Sequence, residues 1–173
     1  MKKSLLTFVF IALLAVLLRG QEVAIQNSAP FTYAYLQCTG SYAQIPDKVN
    51  EFMGIFFKQG LTPLGSFFGM YLNSPGEIKE EELQWQLGFP VAADATVAAP
   101  LQKGEFTFSK VAVYLYVGPY DKSSESYAKI MEFIDKNGYT MAGPIAERYL
   151  DMDPMSVKPE ALRTEIIIPV EKK

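Results

Sequence analysis

Apolar and polar positions along the chain fall into two series that superimpose at a spacing of 78 residues. Segments 33–60 and 111–138 each read as an apolar strand, a Gly-Ser-Tyr or Gly-Pro-Tyr turn, and an amphipathic helix. Val49, Phe52, Met53 and Phe56 occupy the same offsets as Tyr127, Ile130, Met131 and Ile134, the i, i+3, i+4, i+7 stripe of a helix buried along one face. Each helix is predicted to stop at a glycine, Gly60 or Gly138, placed just after Lys58-Gln59 or Lys136-Asn137. Short apolar runs follow in the same register, 64–72 against 142–150. Beyond an acidic loop the register slips by one, so that 83–91 matches 162–170.

Each unit is therefore strand, helix, strand, strand. Such a unit leaves a sheet edge and an apolar face uncovered, and two copies hide both by joining edges. The expected fold is α+β: a tandem pseudo-twofold repeat forming one antiparallel sheet with two main helices and a central cleft. A cleft between the halves is where a ligand is expected. Repeat one is assigned to residues 21–91 and repeat two to 97–173. The small-residue stretch 92–101 joins them and is expected to run as a strand through Gln102 into Phe106, with Val23-Ala24-Ile25 leading the first unit in the same way.

Composition narrows the chemistry. The chain has 173 residues, a formal charge of −3 and no histidine, which removes Ser-His-Asp and Cys-His catalysis and histidine-ligated zinc or haem. One cysteine, Cys38, rules out an internal disulfide and falls in a strand pattern, where a buried apolar thiol is expected. With an acidic balance, no Lys/Arg run and no glycine-rich phosphate loop, the chain is expected to bind neither nucleic acid nor haem, and to use no metal or other cofactor. The loop 75–82, rich in glutamate, is expected to be solvated surface.

Met1-Lys2-Lys3 followed by the apolar stretch 4–18 has the n-region and h-region of a secretory signal, with Arg19-Gly20-Gln21 ending the run. Residues 1–20 are expected to be removed and the mature chain to be periplasmic or secreted. Contact with the membrane would then be transient, through the signal segment alone; about fifteen apolar residues are fewer than the roughly 20 of a comfortable span.

Period-two alternation in the last strand places Arg163, Glu165 and Ile167 on one face and Leu162, Thr164, Ile166 and Ile168 on the other. The first-repeat counterpart of the Glu165 face carries Gln84, Gln86 and Gly88. Two readings follow. These polar faces could meet at the pseudo-axis as the floor of a cleft opposite the helix-packed side, or Glu165 could pair with Arg163 or Arg148 in solvent. Tyr71 and Tyr149, equivalent positions each preceding a leucine, are candidate cleft rings, with Tyr35 and Tyr116 behind them. Trp85 shares a face with Leu83, Leu87 and Phe89 and is expected in the core.

Taken with the duplication, Val117-Gly118-Pro119-Tyr120, the segment 138–150 (Gly-Tyr-Thr-Met-Ala-Gly-Pro-Ile-Ala-Glu-Arg-Tyr-Leu) and the ending 162–170 (Leu-Arg-Thr-Glu-Ile-Ile-Ile-Pro-Val) resemble the GyrI-like, or AraC-type effector-binding, domain over residues 21–173. The resemblance implies a small-molecule receptor domain, which occurs alone or fused to DNA-binding helices in multidrug-responsive regulators. It also implies that the pocket glutamate lies in the last strand before Ile-Pro-Val, which here is Glu165, with Gln86 as its first-repeat partner. Some stand-alone members of the family hydrolyse strained cyclopropane-bearing compounds with a pocket glutamate and an aromatic residue, here Glu165 and Tyr149.

The leading expectation is thus an exported protein that binds aromatic or cationic apolar molecules near Glu165, with Ile167, Tyr149, Tyr71, Gln86, Tyr35 and Tyr116 around them. The alternatives are a hydrolase using Glu165 and Tyr149, and a module whose cleft accepts a protein segment.

Overall fold

The computed structural model describes residues 22–173; the expected signal segment lies outside them. Strands β1 (Ala24–Asn27) and β2 (Phe31–Thr39) precede helix α1 (Ile45–Lys58), followed by β3 (Phe68–Tyr71) and β4 (Gln84–Pro90). The second half repeats this order: β5 (Gln102–Phe106), β6 (Lys110–Val117), α2 (Tyr127–Lys136), a short β7 (Tyr139–Met141), β8 (Ile145–Tyr149) and β9 (Arg163–Lys172). The strands form one antiparallel sheet in the order β1-β6-β9-β8-β3-β4-β2-β5, with β7 pairing the far end of β9. The expected α+β duplication is what the chain adopts.

Two features go beyond strand, helix, strand, strand. The leading strand of each repeat crosses to the other: β1 pairs with β6 of the second repeat, and β5 pairs with β2 of the first. The halves join through β3 and β8, whose register sets Gly69 directly opposite Glu147. Those two residues are 78 apart in sequence, the repeat spacing, so the pseudo-twofold passes between them. The one-residue slip appears in the backbone: Gly40 donates its N–H to the Leu83 carbonyl, and its equivalent Gly118 donates to Leu162.

Both helices pack on one face of the sheet. Phe52 and Phe56 of α1 are fully buried against Ala34, Leu36, Trp85, Leu87 and Phe89. Ile130 and Ile134 of α2 are buried against Ala112, Ile166 and Ile168. Gly60 and Gly138 follow the helix ends at φ +71° and +73°, a left-handed conformation that costs other L-residues roughly 1–2 kcal/mol. Trp85 is wholly buried and donates its indole N–H to the Gly40 carbonyl at 3.2 Å. Cys38 is buried, and desolvation pushes its thiol up to about 11. The opposite face carries a smaller core in which Tyr33, Phe68, Met70, Phe106, Val111 and Ala146 are buried.

Candidate functional site

The helices are set apart, and the sheet between them floors a cleft of 1890 Å³. Its wall on one side is α1, with Ile45, Val49, Met53 and Phe57; on the other it is α2 and the turn before it, with Tyr120, Tyr127 and Met131. Strands β3 and β8 run along the floor and present Tyr71, Ile145, Glu147 and Tyr149 upward. These positions follow from alternation: Tyr71 is two residues from Gly69, and Glu147 is flanked at two-residue spacing by Ile145 and Tyr149, so all lie on the helix-bearing face.

At the pseudo-axis the hydroxyls of Tyr71 and Tyr149 meet at 3.1 Å. Their rings are held alike, Tyr42 standing edge-on to Tyr71 at 5.2 Å and Tyr120 edge-on to Tyr149 at 5.0 Å. Tyr42 and Tyr120 are themselves repeat equivalents, so the cleft floor is a pseudo-symmetric box of four tyrosines.

Glu147 breaks the symmetry. It is only 3% exposed, and its carboxylate accepts the hydroxyls of Tyr127 at 2.8 Å, Tyr149 at 3.2 Å and Tyr71 at 3.4 Å. Among the described residues, no ion pair reaches it. Burial raises the phenol pKa values of Tyr71, Tyr127 and Tyr149, and for Tyr71 and Tyr127 the Glu147 charge follows as the next cause; for Tyr149 the neighbouring Tyr71 comes next, then Glu147. The three phenols are therefore neutral donors at any physiological pH. Gly69, across the strand pair, leaves this centre open: a Cβ there would lie 3.3 Å from the Tyr71 hydroxyl and 3.4 Å from that of Tyr149.

The structure corrects the expected location of the acid. Glu165 sits on the face of β9 away from both helices, opposite Arg148 on β8, and forms an ion pair with it. Alternation in β9 is as expected; the cleft, however, lies on the helix-bearing face and not behind it. Gln86 and Ile167 are likewise on the rear face, Gln86 bonding Tyr33 and Gln37. Tyr35 also faces the rear and donates to the Gln102 side chain at 3.0 Å. Tyr116 is on the helix-bearing face but donates to the Pro119 carbonyl at 3.2 Å and does not line the cleft. Of the seven residues expected around a ligand, Tyr71 and Tyr149 are brought together there. Glu147 was signalled in the sequence by one fact: an acid within Ile145–Tyr149 where the first repeat has Gly69.

An apolar cleft with a few convergent polar groups is the usual form of a small-molecule site, and fold and cleft together define a small-molecule-binding domain. The chain belongs to the family of the GyrI-like small molecule binding domain, whose model matches residues 21–171. It is 29% identical over 133 residues to the SPbeta prophage-derived protein YosT of Bacillus subtilis (strain 168), covering 74% of this chain and 88% of that one. The C-terminal domain of EcmrR has the same fold, with a TM-score of 0.77 at 18% identity over 88% of this chain and 98% of that domain. In the EcmrR–DNA complex the match spans 97% of this chain but 64% of the EcmrR chain. SAV2435, solved bound to tetraphenylphosphonium, superimposes with a TM-score of 0.58 at 18% identity, covering 87% of this chain and 94% of that one.

Proposed function

We propose that the cleft binds apolar molecules carrying a positive charge, with the charge beside Glu147 and the apolar part against the tyrosine box. The observation that carries this is a buried carboxylate held by three neutral hydroxyls and lacking a basic partner among the described residues. Burying an unpaired carboxylate is costly, and hydroxyl donors offset only part of that cost. A cation entering the cleft supplies the missing charge while the faces of Tyr42, Tyr71, Tyr120 and Tyr149 contribute cation–π attraction. Tetraphenylphosphonium, the ligand of SAV2435, has this chemistry. Titration with tetraphenylphosphonium, followed by calorimetry, tests the reading: saturable binding to the wild type that is weakened in Glu147→Gln supports it, and binding of equal strength in both contradicts it.

A second reading is hydrolysis of a strained small molecule, in which Glu147 and Tyr149 replace the expected pair of Glu165 and Tyr149. It draws on their convergence at 3.2 Å within a cleft large enough for substrate and water. Product formation from a cyclopropane-bearing substrate, lost in Glu147→Gln, would distinguish turnover from binding. The lysine-led apolar segment 1–20 supports export of the mature domain to the periplasm or medium; a mature terminus near Gln21 is the expected outcome of amino-terminal sequencing.

A further inference from the structure

The two halves of the cleft descend from the same unit, yet they have diverged in chemistry. Position by position at the 78-residue spacing, repeat one contributes Ile45, Val49 and Gly69 where repeat two contributes Ser123, Tyr127 and Glu147. Asn73 stands in repeat one where repeat two has Asp151, whose charge is already met by Arg163 at 2.8 Å, so Glu147 is the acid that carries the difference. The wall formed by α1 and β4 adds Met53, Phe57, Leu87 and Phe89. The acid that repeat one contributes, Glu77, is an exposed residue at the rim. The tyrosine box on the axis stays symmetric, and Met131 and Ile145 keep part of the repeat-two side apolar, but the buried Glu147 carboxylate and the Ser123 and Tyr127 hydroxyls all lie on that side, at positions where repeat one has Gly69, Ile45 and Val49.

We infer that this divergence makes the cleft read direction: its ligand is an asymmetric amphiphile with a single cationic head, lying with that head toward Tyr127 and Glu147 and its apolar arm along α1 and β4. The inference rests on the cleft being a site for apolar cations and adds which way round they lie. Reversal would press the cationic head against Val49, Leu87 and Phe89, where no acceptor replaces its hydration, and would leave Glu147 unpaired. Gly69 is the specificity-determining position on the axis. Any larger side chain there would occupy the space before the Tyr71 and Tyr149 hydroxyls, and an acid there would make the halves alike.

The test uses two photoprobes of one alkylammonium, one with an aryl diazirine at the end of the alkyl chain and one with it on the nitrogen. Each is irradiated on the wild type and the labelled peptides are identified by mass spectrometry. The expected result is that the tail probe labels α1 and β4, and the head probe labels α2 and the segment around Glu147. Exchange of the labelled half between probes excludes a bias of the carbene for particular side chains. Val49→Glu, which places an acid in the apolar half at an α1 position where glutamate is a good helix former, should spread the label of both probes over both halves. Label divided equally between the halves in the wild type, or the same half labelled by both probes, would overturn the inference while leaving binding itself intact. Absence of any calorimetric binding of either probe would instead contradict the apolar-cation reading on which it rests.

Discussion

Gly69 and Glu147 face each other across the β3–β8 pair at equivalent positions of the two repeats, so the pseudo-twofold of the molecule passes between a buried carboxylate and a hydrogen atom. Duplication supplies two helical walls on a common frame and four matching tyrosines; the walls differ in side chains, and this pair is where the copies differ at the axis itself. The cleft consequently holds one buried charge on the axis, and the ligand chemistry proposed for it follows from that arithmetic.

Glu165 is expected to contribute little to binding. Its ion pair with Arg148 is on the rear face, where the arginine side chain is 43% exposed, and pairs of this kind contribute about 0–1 kcal/mol. Glu165→Gln should leave affinity for tetraphenylphosphonium within about twofold. A loss comparable with that of Glu147→Gln would show that the rear face takes part in binding.

Alkaline pH should destabilise the fold through its buried thiol and phenols. The Cys38 thiol is raised to about 11 by burial, and the phenols of Tyr71, Tyr127 and Tyr149 are raised further. In the unfolded chain these groups ionise at ordinary values, so above about pH 9 the unfolded state binds fewer protons than the folded one and stability falls as pH rises. Thermal melts should show a constant Tm contribution from these groups below pH 8 and a progressive drop from pH 9 upward, shallower in Cys38→Ala.

Much of the fold was legible in the sequence because the 3.6-residue and two-residue periods appear twice, and one copy checks the other. The Val49–Phe56 and Tyr127–Ile134 stripes locate the helices, and Gly60 and Gly138 mark their ends. Strand exchange was not legible: nothing in the local pattern of 24–27 or 102–106 says which repeat will accept it, since pairing is a long-range choice. The site was half legible. Alternation assigned Glu165 and Ile167 to one face of β9 correctly, but period two cannot say which face borders a cleft. The helices here stand on either side of the cleft, and the opening lies between them on the face that amphipathicity assigns to packing.

The helix ends test the local account. A Cβ at Gly60 or Gly138 would meet nothing within 4 Å, so the cost of substitution is purely that of backbone conformation. Gly60→Ala and Gly138→Ala should each lower stability by about 1 kcal/mol, and Asn at either position by less. Chemical denaturation would measure this, and a neutral alanine would contradict the left-handed geometry.

Core packing under α1 is expected to matter more. Phe52 is fully buried and its ring lies 5.4–5.8 Å from those of Phe56, Phe67 and Phe89. Phe52→Ala should cost about 3–5 kcal/mol, and because Phe67 and Phe89 also border the cleft, it should weaken ligand binding as well. A denaturation midpoint close to the wild type would contradict that packing.

The most direct test of the central claim is calorimetric titration of tetraphenylphosphonium, beside a neutral aromatic of similar size, into the wild type and Glu147→Gln. Loss of a charge-assisted contact should weaken the cation by about 1.5–3 kcal/mol, roughly ten- to a hundredfold, and leave the neutral compound nearly unchanged. The variant should fold at least as stably as the wild type, since it removes a buried charge without a basic partner. Equal loss for the cation and the neutral compound, or no loss for either, would contradict the assignment of Glu147 as the group that receives the ligand's charge.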